Sequence, residues 1–213
     1  MRAKDNEAAA RIRTQGDAAD WSMQGKTVLF TGASRGMGRF AALELAQLGA
    51  EVLVVGHDQA RGAAAVEAIR GTDGSAQFLR ADMGEAADVC ALAAAVLARS
   101  GPVHVLIHSA GGLVPAGART REGVDRGFAQ NFLGAFLLTR LLEERLLASA
   151  PARVIAVGSG AHRLLKSADL DALMHPGQAV PRIGSNQRGR YQMRSYQTAK
   201  LAVTTWMYGL ARR

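Results

Sequence analysis

Two residues four apart near the end of the 213-residue chain, Tyr196 and Lys200, carry the most specific chemistry in the sequence. On a helix such positions share a face, which brings a phenol beside an ammonium. A free tyrosine ionises near pH 10, too high for a base at neutral pH, and a neighbouring ammonium favours the phenolate. The pair therefore suits proton exchange with an alcohol or carbonyl oxygen. Ser159 follows the β-type run Arg153–Val157 within Gly158-Ser159-Gly160, where its hydroxyl can hydrogen-bond an oxygen on which charge develops. Asn131 interrupts an apolar helical stretch, where asparagine is unfavourable, and this favours a functional role for it. Tyr191 is a rival tyrosine, but the residue four further on is Ser195. His162 and His175 have no companion cysteines or acidic cluster, and no metal site is expected. Cys90, in an Ala/Leu-rich stretch, reads as a small core residue.

A second constellation lies near the start, Lys26-Thr27-Val28-Leu29-Phe30-Thr31-Gly32-Ala33-Ser34-Arg35-Gly36-Met37-Gly38-Arg39-Phe40. A β-branched and aromatic run is followed by three glycines and then by a helical pattern from Ala41 to Leu48. Glycines let the backbone turn sharply and approach a ligand, and the free N–H groups of a helix N-terminus attract an anion. The stretch is a place for a phosphate, with Gly32, Ser34, Arg35, Gly36, Met37 and Gly38 as its candidate contacts. Its spacing, G-x-x-x-G-x-G, differs from the G-x-G-x-x-G dinucleotide fingerprint.

Alternating elements must position these residues. Further strands are predicted at Glu51–Gly56, Ala76–Arg80, Val103–His108 and Arg153–Val157. Helices are predicted between them: one begun by Asp58 as N-cap, one over 85–99, a long one over 121–147, and a final one from about Ser195. Residues 161–193, with prolines at 176 and 181, read as polar and irregular. Strand–helix alternation of this kind implies an α/β fold with a doubly wound, Rossmann-like parallel sheet covered on both faces. In such sheets ligands bind at the carboxyl ends of the strands. The clusters Gly32–Gly38, His57, Asp82–Met83, Ser109-Ala110-Gly111 and Ser159 all stand at such ends, so they converge on one crevice.

The length and the 48% hydrophobic content suit one domain, read as residues 25–213 after a polar tail over 1–24. The tail lacks the apolar core of a signal peptide, and its acids argue against a transit peptide. No apolar run reaches the length of a membrane span. One cysteine excludes an internal disulfide framework and fits a reducing cytoplasm. The formal charge of +8 comes from dispersed arginines, and the aromatics are few, so neither a nucleic acid nor a membrane is expected as partner.

Taken together and in this order, the residues resemble the short-chain dehydrogenase/reductase family over nearly all of 25–213. Thr31-Gly32-x-x-x-Gly36-x-Gly38 matches the family's cofactor motif, and Asp82 its adenine-contacting aspartate. His108-Ser109-Ala110-Gly111 stands where the family has Asn-Asn-Ala-Gly. Asn131, Ser159 and Tyr196-x-x-x-Lys200 match its catalytic set. The resemblance implies hydride transfer between a nicotinamide and an alcohol, ketone or aldehyde, with Tyr196 moving the proton. It also implies that Lys200 and Tyr196 contact the cofactor and that Asn131 supports a water leading to Lys200. An acid at the end of the second strand would select NAD. Here His57 and Arg35 occupy positions that are basic in NADP-using relatives, and Asp58 serves better as a helix cap, so NADP is expected over NAD. The alternative is a nucleotide-binding scaffold or sensor without turnover. The Ser159–Tyr196 interval is longer than the family's commonest arrangement and similar to its retinol-dehydrogenase-like and protochlorophyllide-reductase-like branches. Its Arg182, Arg188, Arg190 and Arg194 are expected to form a lid or rim. The family usually continues with two further strands and a substrate-binding loop, so the fifth strand is expected as an exposed edge. By resemblance the chain assembles as a homodimer or homotetramer.

Overall fold

The computed structural model describes residues 22–174 and 185–212. Five strands, β1 (Thr27–Thr31), β2 (Glu51–Gly56), β3 (Ser75–Arg80), β4 (Val105–His108) and β5 (Arg153–Ala156), form one parallel sheet in the order β3-β2-β1-β4-β5. The order reverses between β1 and β4, so the chain leaves their carboxyl ends toward opposite faces of the sheet and a crevice opens between the two loops. Register brings Thr31 between Val55 and His108, and His108 beside Ala156.

Strand residues alternate between two apolar layers, as the period of a strand requires. Val28, Phe30, Val52, Val54 and Ile107 pack under α1 (Gly36–Gln47) and α2 (Gln59–Arg70). Leu29, Leu53, Val55 and Leu106 pack under α3 (Ala86–Leu97) and the helices that follow β4. The expected doubly wound fold is therefore present. In α3, Val89, Leu92, Ala93 and Val96 form the buried stripe. Cys90 lies off that stripe and is exposed, which corrects its reading as a core residue.

The long helix read over 121–147 is in fact several pieces. Gly123, at φ +82°, shapes a turn closed by Thr120 N–H to Val124 O, and only then does Asp125 cap α4 (Arg126–Phe128). A π-turn (Ala129–Leu133) follows, then α5 (Gly134–Leu141) and, after a break at Leu142, α6 (Glu143–Ala148). The stretch 161–193 is also more regular than expected. A 3-10 turn (Gly160–Leu164) leads to α7 (Leu170–Met174), and the final helix, α8 (Ser185–Leu210), begins ten residues earlier than its sequence pattern indicates. Arg188, Arg190 and Arg194 lie exposed along its first half. The tail residues 1–21, His175, both prolines and Arg182 lie outside the described residues. Among those described, β5 pairs with β4 alone, and Ile155 and Val157 are 45% and 43% exposed.

Candidate active site

The crevice begins where β1 ends. The Thr31 hydroxyl donates to Ile107 O (3.2 Å) and accepts from the N–H groups of Ser109 and Ala110, which latches the end of β1 to the loop after β4. The chain then turns at Gly32, at φ +79°, where a Cβ would sit 2.6 Å from the Ala110 nitrogen. At Gly38 a Cβ would lie 2.3 Å from Gly32 O, so the helix can lie against the loop only without a side chain there. Around Gly36 there is open space. Arg35, the N-cap of α1, makes no side-chain cap, and the first turn holds no acid. The helix N-terminus therefore keeps unsatisfied N–H donors and its positive dipole end for a ligand.

All twelve residues expected at the cofactor from the strand ends line one cavity of about 280 Å3: Gly32, Ser34, Arg35, Gly36, Met37 and Gly38 on one wall, with His57, Asp82, Met83, Ser109, Ala110 and Gly111 on the others. Val55, Gly56, Ala81 and Gln130 complete it without having been anticipated. For Gly56 the signal was available, since it ends β2, where a Cβ would lie 2.4 Å from Ser34 Oγ. Asp58 acts as a cap, as expected. It accepts from Arg61 N–H (3.0 Å) and pairs with Arg61 Nε (2.8 Å), and these bonds hold its carboxyl below the usual range. Asp82 is also engaged: Oδ1 accepts from Gly84 N–H and Oδ2 pairs with Arg126, whose other arm reaches Glu85. At the mouth, Arg35 and His57 are exposed, and Arg80 donates to His57 O (3.3 Å). A dinucleotide fits this chemistry: glycine-lined backbone donors for phosphates, and cations at the outer end.

The second half of the site meets the first at Gly111. Asn131, 3% exposed, sits in the π-turn, a helix irregularity frequent at functional sites. Its Oδ1 accepts from Gly112 N–H (2.9 Å), and its Nδ2 donates to the carbonyls of Gly112 and Gly127. A Cβ on Gly111 would lie 2.4 Å from Asn131 Oδ1 and 3.8 Å from Lys200 Nζ, so both side chains crowd one glycine. Lys200 is buried, donates to Val157 O (2.8 Å) and lies 5.7 Å from the centre of the Tyr196 ring. Burial lowers its pKa from the ordinary lysine value. Ser159, two residues beyond Val157, starts the 3-10 turn that packs on α8, and its Oγ accepts from Ala161 N–H. Lys200 thus stands next to Tyr196 and, with Asn131, behind Gly111, and its bond to Val157 O ties it to the segment that carries Ser159; none of the four lines the cavity itself. Tyr191 donates instead to Asp125 (3.0 Å). Among the described residues no group of three or more His, Cys, Asp or Glu side chains is placed to hold a metal.

His108 was not anticipated as a buried base. It ends β4 with 5% exposure, and its Nε2 lies 2.8 Å from Thr139 Oγ1. That hydroxyl also donates to Ala135 O, an arrangement that suits a ring proton on Nε2. Nδ1 is left buried and without a partner among the described residues. Burial pushes the His108 pKa down from 6.5 to about 3.

Comparison with known proteins follows the same lines. The family model for short chain dehydrogenase matches residues 26–167. Dehydrogenase/reductase SDR family member 13 of Bos taurus is 38% identical over 192 residues, covering 89% of this chain and 48% of that protein. Retinol dehydrogenase 12 of Mus musculus is 40% identical over 144 residues, covering 67% of this chain and 46% of its own length. The chain therefore spans about half the length of these curated relatives. Among solved structures, the Pseudomonas aeruginosa RhlG/NADP complex is 26% identical with a TM-score of 0.67, over 90% of this chain and 67% of that one. A short-chain dehydrogenase from Shigella flexneri superimposes with a TM-score of 0.68 at 20% identity, over 91% of this chain and 77% of its own, and supports the fold alone. No helix among the described residues is long and apolar enough to cross a membrane. The chain belongs to the short-chain dehydrogenase/reductase family.

Proposed function

We propose that this chain is the nucleotide-binding and proton-transfer part of an NADP(H)-dependent oxidoreductase acting on a secondary alcohol and its ketone, or on an aldehyde. The observation that carries the reading is the meeting at Gly111 of the glycine-lined crevice with Asn131 and Lys200, with Tyr196 beside Lys200. Bound nicotinamide would supply the hydride donor or acceptor. The residues of the chain supply orientation and protons. Tyr196 holds the proton at its Oη and exchanges it with the substrate oxygen, while the Lys200 ammonium beside it favours the phenolate form. Lys200 keeps two N–H donors beyond the one given to Val157 O, and these suit the hydroxyls of a ribose. Asn131 fixes the Gly111-Gly112 loop from behind, and the Ser159 hydroxyl stabilises charge on the substrate oxygen.

The choice of NADP rests on charge at the outer end of the crevice. Among the described residues no free acid stands there to receive a ribose 2′-hydroxyl: β2 ends at Gly56 and Asp58 is occupied by Arg61. Arg35 and His57 are exposed at the same mouth, and a guanidinium matches a phosphate through its planar fork. The NADP bound to RhlG supports this reading, and the alcohols in the names of retinol dehydrogenase 12 and polyprenol dehydrogenase support the substrate class. The test is a fluorescence titration of the 213-residue chain with NADPH and, in parallel, NADH. One or two charge-assisted hydrogen bonds to the 2′-phosphate predict NADPH binding tighter by roughly tenfold or more. A preference for NADH would overturn the cofactor choice, and binding of neither would overturn the reading for this chain.

A further inference from the structure

We propose that Asp125 is a positioning residue: it fixes the depth and rotation of α8 against the π-turn, and with them the places of Tyr196 and Lys200 relative to Asn131. Its functional meaning rests on the proton-transfer reading above. Asp125 is 2% exposed, and both carboxylate oxygens are used. Oδ1 accepts from Phe128 N–H (2.8 Å) and from Ser195 Oγ (2.5 Å), and Oδ2 accepts from Tyr191 Oη (3.0 Å). The first bond caps α4. The other two reach residues four apart on one face of α8, the second immediately before Tyr196.

A buried carboxylate is costly unless it is hydrogen-bonded, so its bonds to Tyr191 and Ser195 fix where α8 sits against α4. The Tyr191 phenol is pushed up to about 12 by burial and by the charge of Asp125, so it remains a donor throughout the physiological range. Gly127 couples the clamp to the rest of the site. A Cβ there would lie 2.7 Å from Ser195 Oγ and 3.1 Å from Asp125 Oδ1, so the serine can reach the carboxylate only because residue 127 has no side chain. The carbonyl of the same glycine accepts from Asn131 Nδ2 (2.8 Å). The backbone from Asp125 to Gly127 is therefore shared by two networks, one ending beside Tyr196 and the other beside Lys200. The main chain is anchored too, through Asp125 N–H to Leu173 O (2.9 Å).

The test compares wild type with Asp125→Asn and, because a buried substitution can impair folding, with the double variant Tyr191→Phe/Ser195→Ala, which leaves the α4 cap intact. Hydrogen–deuterium exchange without cofactor should show roughly tenfold faster exchange in α8, with β1, β2 and β4 unchanged. Unchanged exchange in α8, or a rise spread evenly over the sheet, would overturn the proposal. Loaded with NADPH and given octanal as the probe, both variants should lose roughly tenfold in kcat at constant KM. An intact kcat with a raised KM would also overturn it. Absence of turnover in wild type would count against the oxidoreductase reading, and the exchange result would then decide Asp125 by itself.

Discussion

His108 makes the folded chain sensitive to acid in a way that can be calculated. Its folded pKa of about 3 lies below the ordinary 6.5 because a charged imidazole would have to be buried at the end of β4. Below pH 6.5 the unfolded chain takes up a proton at this ring that the folded chain refuses. The stability associated with neutral His108 is therefore complete above pH 6.5 and is lost progressively as pH falls toward 3. At pH 5.0 the ring sits 1.5 units below its unfolded value, which corresponds to about 2 kcal/mol relative to neutral pH. In a domain of this size that is a fall of roughly 4–8 °C in Tm. The assay is urea unfolding at pH 7.0 and pH 5.0, at constant ionic strength, for wild type and His108→Gln, which keeps an N–H for Thr139 but cannot titrate. Carboxylates lower the stability of both proteins in acid equally, so the difference between the two losses isolates the histidine. Equal losses in the two proteins would refute the reasoning, because they would mean that a protonated Nδ1 finds an acceptor or solvent in the folded state.

Two further outcomes follow from the site geometry. Tyr196→Phe should weaken NADPH binding by at most about tenfold, the worth of one hydrogen bond, while lowering reduction of an aldehyde by about 10²–10⁴-fold, the usual worth of a positioned acid–base group; retained rate would remove Tyr196 from proton transfer. Gly38→Ala places a methyl 2.3 Å from Gly32 O and should displace α1, lowering stability by about 1–3 kcal/mol and weakening NADPH binding, as measured by thermal unfolding and fluorescence titration. Gly101→Ala, with nothing within 4 Å of the new methyl, is the control and should change neither.

What could be read from the chain beforehand depended on how local the signal was. The glycine turn after β1, the Asp58 cap and the Tyr-x-x-x-Lys spacing are each written within a few consecutive residues, and all appear in the structure where the chain pattern puts them. The first half of α8 was missed because Gln187 to Arg194 offers polar helix formers without an apolar stripe. Its helical state is supported by tertiary bonds from Tyr191 and Ser195 to Asp125, across 66 and 70 residues of chain. The breaks in the stretch after β4 were hidden for a related reason: Leu, Ala and Phe continue the helical pattern through the π-turn and Leu142 alike, and only Gly123 marked the turn before Asp125. Cys90 was misplaced because α3 is so rich in alanine that its two faces look similar, although Val89, Leu92, Ala93 and Val96 already marked the buried side.

The hydroxyl of Thr31, which joins β1 to the loop after β4 across more than 75 residues of chain, has a consequence for how the molecule is built over time. Contacts between distant residues carry a large loop-closure cost and form late, while β1, α1 and β2 are neighbours along the chain and can associate early. During synthesis the glycine turn after β1 can take shape as soon as β2 has emerged, but it stays unlatched until β4 arrives to receive Thr31. Tyr196 and Lys200 come later still, carried on a helix that must find Asp125 already in place. The order of emergence along the polypeptide is thus also an order of assembly: first the glycine turn, then the wall behind it, and after both the helix that carries Tyr196 and Lys200.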